Sequence, residues 1–434
     1  MRLTLSLLLL LLVFAAPARA AGPQVGVADD RVLMAGGPQA DRAVAEWRAN
    51  GVDVVRIIAQ STRIERWGWS ELDAAVARVR GAGMGVVLTV VGPHVRPSKT
   101  KFAAFAREVA ARYGADVDRY IVWNEPNLPS WLQPQARCSR GRCTPVAPHL
   151  YRGLVRAARP AIREADPGAQ VLIGAMSSRG QDLRGRNVTT RPLVFLRALG
   201  CVNASGRRLR TGYCKGFKPA TGDGFAFHPH GTLVSPDRAY PNPDDVNLAS
   251  LGRLESWLDR LQRGGRLHAS TRRFGLYLDE YGYQTRPPDR TAGVSLATQD
   301  RWLQMAAYRA WRDPRVKLLT QYQWFDEPLR RAGSPFAGWQ SGLRFLRGKA
   351  KPALAHFDTP MQIDPARSRL WGQARPGGAQ TVRVERRPRG ARKYALLATV
   401  RTDARGYWTL KRRLTPGARY RFRTAAQVSA SFRR

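Results

Sequence analysis

Lysine, acidic residues and cysteine are all scarce in this 434-residue chain, and each scarcity excludes something. Nine lysines stand beside sixty-three arginines. That ratio points to a genome whose base composition favours arginine codons, so the formal charge of +40 does not by itself define a nucleic-acid-binding protein. Only 32 residues are Asp or Glu, so contact with anionic cell surfaces or glycans stays open. Four cysteines occur as two close pairs, Cys138 with Cys143 and Cys201 with Cys214. Neither pair has the Cys-x2-Cys spacing of a zinc site, and local disulfides are the simplest of the three connectivities. No glycine-rich phosphate loop, metal-ligand cluster or Ser-His-Asp signature is present. The reading therefore calls for no metal and no cofactor.

Long apolar runs are missing too, except at the start. Arg2, the run from Leu3 to Ala16, and Pro17-Ala18-Arg19-Ala20 make a charged start, a hydrophobic centre and an Ala-x-Ala ending. This predicts a signal peptide over residues 1–20, cleaved after Ala20, and a secreted protein. The alternative is a membrane anchor, for which the run is short. The mature chain then has about 414 residues (434 minus 20), enough for one α/β barrel and a small extra domain.

What is present is alternation. Apolar stretches at 25–30, 52–58, 85–91, 120–123, 171–175, 224–228, 274–280 and 316–324 read as strands. Helical periodicity lies between them at 41–50, 70–80 (capped by Ser70), 100–113, 148–164, 192–199, 246–261 and 295–311. Pro160 threatens to break the fourth of these helices, and a last helix is expected near Leu354. Eight strands with intervening helices predict a (β/α)8 TIM barrel over residues 21–360. An open doubly wound sheet is the alternative. Residues 366–434 change texture to alternating stretches with Gly- and Pro-rich turns, predicting a small C-terminal antiparallel β-sandwich. From 362 to 434 there are 19 Lys/Arg and 3 Asp/Glu, net +16 (19 − 3).

Two strands end in carboxylates. Tyr120-Ile-Val-Trp-Asn-Glu125-Pro-Asn ends the fourth, and Phe274-Gly-Leu-Tyr-Leu-Asp-Glu280-Tyr-Gly ends the seventh. In a parallel barrel both ends lie on one face. Hydrolysis of a glycosidic bond needs two carboxyl groups in unequal states, one holding a proton and one ionised. Strand alternation aims Asp279 away from Glu280.

Trp123-Asn124-Glu125-Pro126-Asn127 resembles the acid/base motif of the retaining glycoside hydrolases of clan A, the group holding families 5 and 39. Asp279-Glu280-Tyr281-Gly282 resembles the nucleophile motif of the same clan. The resemblance spans residues 25–360. It implies Glu125 as acid/base, Glu280 as nucleophile and a carboxyl separation of roughly 5–5.5 Å. It implies that Asn124 bonds the sugar 2-hydroxyl and that Arg56 steadies the nucleophile. His228-Pro-His230 resembles the clan's His-x-Tyr, with His230 in place of the tyrosine. Trp324 matches the aromatic platform under the sugar. His94, and more weakly Trp131 and Tyr281, are further subsite candidates. The implied activity is hydrolysis of β-linked O-glycosidic bonds by double displacement. The implied partner is an oligo- or polysaccharide; a monomer and no specific nucleic acid are expected besides. The alternatives are a non-catalytic glycan-binding barrel and a basic cell-surface protein.

Overall fold

The computed structural model describes residues 22–329 and 338–434; the expected signal peptide, 1–20, lies outside them. Eight parallel strands close a barrel: β1 (Gln24–Ala28), β2 (Val54–Gln60), β3 (Gly85–Val91), β4 (Arg119–Val122), β5 (Gln170–Ser177), β6 (Gly224–His228), β7 (Leu276–Tyr281) and β8 (Val316–Tyr322). β1 pairs with both β2 and β8, which completes the closure. The strands read as continuous apolar runs because helices cover their outer faces while side chains fill the interior.

The interior is built in layers. Val54, Val87, Ile121, Leu172, Ala226, Tyr277 and Leu318, one from each of β2 to β8, form a buried apolar cluster. β1 supplies Gly26 there, where an added Cβ would meet Thr320 Oγ1 at 2.5 Å. Two residues further along, the strand period brings Arg56, Thr89, His228, Asp279 and Thr320 to the next layer, all buried. The barrel is thus apolar at its floor and polar towards the C-terminal mouth.

Several expectations shift. The helix Ala147–Ala165 runs through Pro160. That proline is exposed, so the hydrogen bond it deletes lies on the solvent side. Ser70 is the first residue of the helix Ser70–Gly81, not its cap; Trp69 precedes it without a side-chain capping bond. The stretch near Leu354 is a short 3-10 turn, Pro352–His356. Two short helices, Asp30–Ala35 and Ser61–Trp67, follow β1 and β2 without having been foreseen. The disulfides are the local ones: Cys138–Cys143 clasps the hairpin 136–145, and Cys201–Cys214 closes the loop after the helix Pro192–Leu199.

After the barrel come two antiparallel sheets. One has three strands, β9 (Met361–Asp364), β10 (Arg369–Gln373) and β13 (Tyr407–Lys411). The other has four, β11 (Thr381–Arg387), β12 (Ala395–Arg401), β14 (Arg419–Arg423) and β15 (Phe432–Arg433). Met361, Leu370 and Trp408 meet Val382, Val384, Tyr420 and Phe422 in one sandwich core. Trp371 and Tyr407 point the other way and pack on Tyr308 and Trp311 of the helix Leu296–Arg312. The Tyr407 hydroxyl donates to the Pro23 carbonyl (2.9 Å), so the sandwich also grips the start of β1, at the end of the barrel opposite the mouth.

Candidate active site

Arg56 is the centre of the polar layer. It is 1% exposed on β2 and turns each nitrogen of its guanidinium to a different partner. Nη1 donates to Glu280 Oε1 (2.8 Å), Nη2 donates to Asn124 Oδ1 (2.5 Å), and Nε lies 3.3 Å from Asp279 Oδ2. Nε makes an ion pair with Asp279 but no hydrogen bond, so the buried guanidinium is met there by charge alone.

His228, at the end of β6, is the second hub. Its Nδ1 lies 3.1 Å from Glu125 Oε1 and 3.5 Å from Glu280 Oε2, and its Nε2 lies 3.1 Å from Asp279 Oδ2. Burial opposes a charge on the ring, but the Glu280 and Asp279 carboxylates outweigh it and raise the pKa to about 10. His228 is therefore an imidazolium at neutral pH, donating from both nitrogens. Burial likewise opposes ionisation of Glu280, but His228 and Arg56 hold its carboxyl well below the usual range. His230 Nε2 adds a contact at 3.6 Å.

One carboxylate oxygen each of Glu125 and Glu280 and a ring nitrogen of His228 lie within 4.8 Å of one another. Such a trio can in principle hold a divalent cation. Here His228 Nδ1 is directed at the two glutamates and Nε2 at Asp279, so the trio is knit together by its own contacts. His149, Cys201 and Cys214 also cluster, but both sulfurs are in the disulfide.

The backbone at the motif is unusual. Trp123 has φ 73° and Glu125 φ 35°, left-handed values that are costly for such side chains. The twist drives the Trp123 ring into the core against Phe102, with its indole N–H on the Trp131 carbonyl, and so frees Asn124 and Glu125 to face the mouth. Tight packing around Trp123 holds the strain.

Some expected residues lie elsewhere. Trp324 is not a platform: it is fully buried between Trp47 and Phe357, with its indole N–H on Glu46 (2.9 Å). β8 ends two residues earlier than expected, and the aromatic ring at the mouth is Tyr322. That ring lies 6.0 Å from His230 and 5.4 Å from Trp339, centroid to centroid. Tyr281 is also buried, stacked under His230 (6.4 Å, 5° between planes) with its hydroxyl donating to Tyr283, so it shapes the wall. His94 and Trp131 pair at 5.1 Å, and His94 Nε2 meets Gln60 Nε2 at 3.2 Å; both rings are half-buried.

Asp279 corrects the alternation argument. Tyr277 and Asp279 keep the strand period and both face inwards. Pairing with β8 is irregular between Leu278 and Tyr281, and this turns Glu280 to the same side. The missed residues are therefore Asp279 and Tyr322. The Asp-Glu dipeptide at a strand end was the available signal for the first, and period two counted from Leu318 for the second.

The fold is that of known glycosidases, in agreement with the clan A resemblance. The structure is similar to GH5_18 from Streptomyces cattleya in complex with GlcNAc, with a TM-score of 0.50 and 16% identity over 77% of this chain and 78% of that one. A variant of that protein in complex with Manb1-4GlcNAc gives 0.51 and 17%, over 76% and 78%. Bacteroides uniformis beta-glucuronidase 2 gives 0.48 and 11%; the match takes in 94% of this chain but 45% of that one, so the chain spans under half its length. No family model and no curated protein sequence matches.

Proposed function

We propose that this chain is a secreted retaining O-glycosidase that cleaves β-linked glycans by double displacement, with Glu280 as nucleophile and Glu125 as acid/base. The observation that carries the reading is that a carboxylate oxygen of Glu125 and one of Glu280 lie within 4.8 Å at the barrel mouth, with Glu280 held anionic by Arg56 and His228. A separation of roughly 5–5.5 Å between carboxyl groups suits direct attack; the inverting route needs more room for water. Glu280 attacks the anomeric carbon as the bond to the leaving oxygen breaks, and Glu125 gives that oxygen its proton. Glu125 then takes a proton from water, whose oxygen displaces Glu280.

The other mouth residues fit supporting roles. Asn124 spends its Oδ1 on Arg56, which leaves its amide nitrogen to donate to a sugar hydroxyl. His230, Tyr322 and His94 would line the sugar subsites. The barrel and the sandwich act as separate domains over 21–360 and 366–434. Export is supported by the leader-like start and the two disulfides. No helix among the described residues is long and apolar enough to cross a membrane.

The test is azide rescue with a nitrophenyl β-glycoside. Glu125→Ala should still be glycosylated, because the leaving group needs little protonation, and azide should restore its turnover as a β-glycosyl azide. Glu280→Ala should give the opposite anomer if it gives any product. Swapped outcomes reverse the roles. Absence of rescue in both folded variants returns the protein to a glycan-binding barrel without turnover.

A further inference from the structure

The four-stranded sheet turns Val382, Val384, Tyr420 and Phe422 onto the sandwich core. Alternate positions therefore face outwards. There the chain places Arg383, Arg387, Arg419, Arg421, Arg423 and Arg433 against one carboxylate, Glu385. The register sets like charges directly opposite one another: Arg383 faces Arg423, Arg387 faces Arg419, and Arg419 faces Arg433. Such pairs destabilise a sheet unless something neutralises them. Arg421 has Glu385 at 2.6 Å; among the described residues no carboxylate lies within ion-pair distance of the other five.

Two further observations define the face. The three-stranded sheet separates it from the barrel, because Leu370 and Trp408 touch the sandwich core while Trp371 and Tyr407 touch the barrel helix. The arginines thus look away from the mouth. The Tyr394 ring lies under Arg421 (4.0 Å) and Arg387 (5.2 Å), which steadies both guanidinium groups.

We propose that this face binds an anionic polysaccharide and tethers the barrel to it. Arginines recur roughly every 6.8 Å along a strand and about every 4.8 Å across strands, a two-dimensional grid of donors. An extended polymer bearing a carboxylate or other anion on successive sugars can lie along such a grid, and guanidinium forks suit its planar carboxylates. Nucleic acid fits less well. Its single strands need open aromatic faces for stacking, and the one ring here is covered by Arg421. Duplex DNA, whose phosphates attract any basic face, is the competing polyanion that the experiment has to exclude. The binding stands on the face alone; the tethering, which raises the local concentration of glycan at the mouth, rests on the glycosidase reading.

The experiment uses the full chain and polygalacturonate, with dextran as the uncharged polymer and duplex DNA as the competing polyanion. Arg383→Thr, Arg419→Thr and Arg423→Thr are combined in one variant. A control loses the same charge from exposed barrel arginines: Arg142→Thr, Arg210→Thr and Arg272→Thr. Wild type should bind polygalacturonate but not dextran, and more weakly as salt rises. The face variant should bind about tenfold more weakly, and the control within about twofold of wild type. Its melting temperature should hold or rise, since opposed like charges are relieved; if the triple variant does not fold, Arg423→Thr alone is compared with Arg272→Thr. Equal losses in face variant and control overturn the proposal in favour of bulk charge, and tighter binding to DNA overturns it in favour of nucleic acid. Binding without hydrolysis of any glycoside sinks the glycosidase reading and leaves this one standing. Hydrolysis with undiminished binding by the face variant does the reverse.

Discussion

Arg56 and Arg423 carry the same guanidinium to opposite fates. Arg56, at the barrel mouth, is 1% exposed and commits its donors to Glu280 and Asn124, with Asp279 beside it. Arg423, on the outer sandwich sheet, is exposed and faces Arg383. Burial makes every unmet charge costly, so an interior arginine exists only with its partners. A surface arginine keeps its head in water and alone needs no partner; its charge goes unmet only where another arginine stands opposite, as Arg383 does here. A codon bias can fill the second kind of position freely and the first not at all. Function is therefore read from placement, and the chain-wide arginine excess bears on it only where the arginines gather on one face.

The sharpest ways to test this contrast begin at the mouth. Glu280→Ala should lower turnover about 10⁴-fold or more on every substrate, measured in steady state, because no other group can take up the anomeric carbon. A smaller loss would remove Glu280 from the nucleophile role. Arg56→Met should also cost about 3–5 kcal/mol of stability, read from urea midpoints, because it leaves Glu280 and Asp279 buried with one cation fewer. Arg423→Glu should leave the midpoint unchanged or raise it, since it creates an opposite-charge pair with Arg383. If Arg423→Glu proved as damaging as Arg56→Met, the distinction between the two regions would collapse.

The join between the regions is apolar and should behave differently again. Trp371 is fully buried against Tyr308 and Trp311, and Trp371→Ala should cost about 3–5 kcal/mol. Turnover per folded molecule should not change, because every candidate catalytic residue lies before position 365. Ending the chain near 365 should keep activity for the same reason, at a lower melting temperature from the uncovered rings. A folded truncation without activity would make the sandwich part of the site.

Much of this was legible without coordinates. The strand runs and glycine stops reported the barrel because parallel strands must be apolar throughout. That Glu125 and Glu280 meet at the mouth was legible because each ends an apolar run, and parallel barrel strands end on one face. Trp324 departs from the expectation for a physical reason: an aromatic residue after an apolar run suits a platform and a core wedge equally, and only the end of β8 at Tyr322 decides. The inward Asp279 was hidden because a local irregularity in pairing overrides alternation and has no composition signal. The arginine face was visible as charge, but the opposition of Arg383 to Arg423 depends on register, which the alternating stretches alone do not specify.

The most selective expected effect concerns Asp279, because it is read in the shape of a pH profile and not in one number. It is fully buried between His228 Nε2 (3.1 Å) and Arg56 Nε (3.3 Å), out of reach of a sugar, so it acts as a positioning residue. Arg56, His228, Glu280 and the buried Tyr151 are the titratable groups around it. Asp279→Asn removes one of the two charges that hold the His228 proton, so the pKa should fall from about 10 towards its ordinary value near 6.5. The sign follows from linkage. A histidine whose pKa is raised on folding contributes stability that is complete below its unfolded pKa, about 6.5, and is lost as pH rises through about 10. Wild type should therefore lose up to about 1.4 kcal/mol per pH unit across that window from this group. The variant should finish its loss at lower pH and run flatter above it, in urea midpoints taken pH by pH. The basic limb of its rate profile should move down in pH together with the stability curve, and turnover below pH 6 should fall less than at pH 8. Parallel profiles with a uniform drop in rate would show that Asp279 only fills space, and that the proton on His228 is held by Glu280 without it.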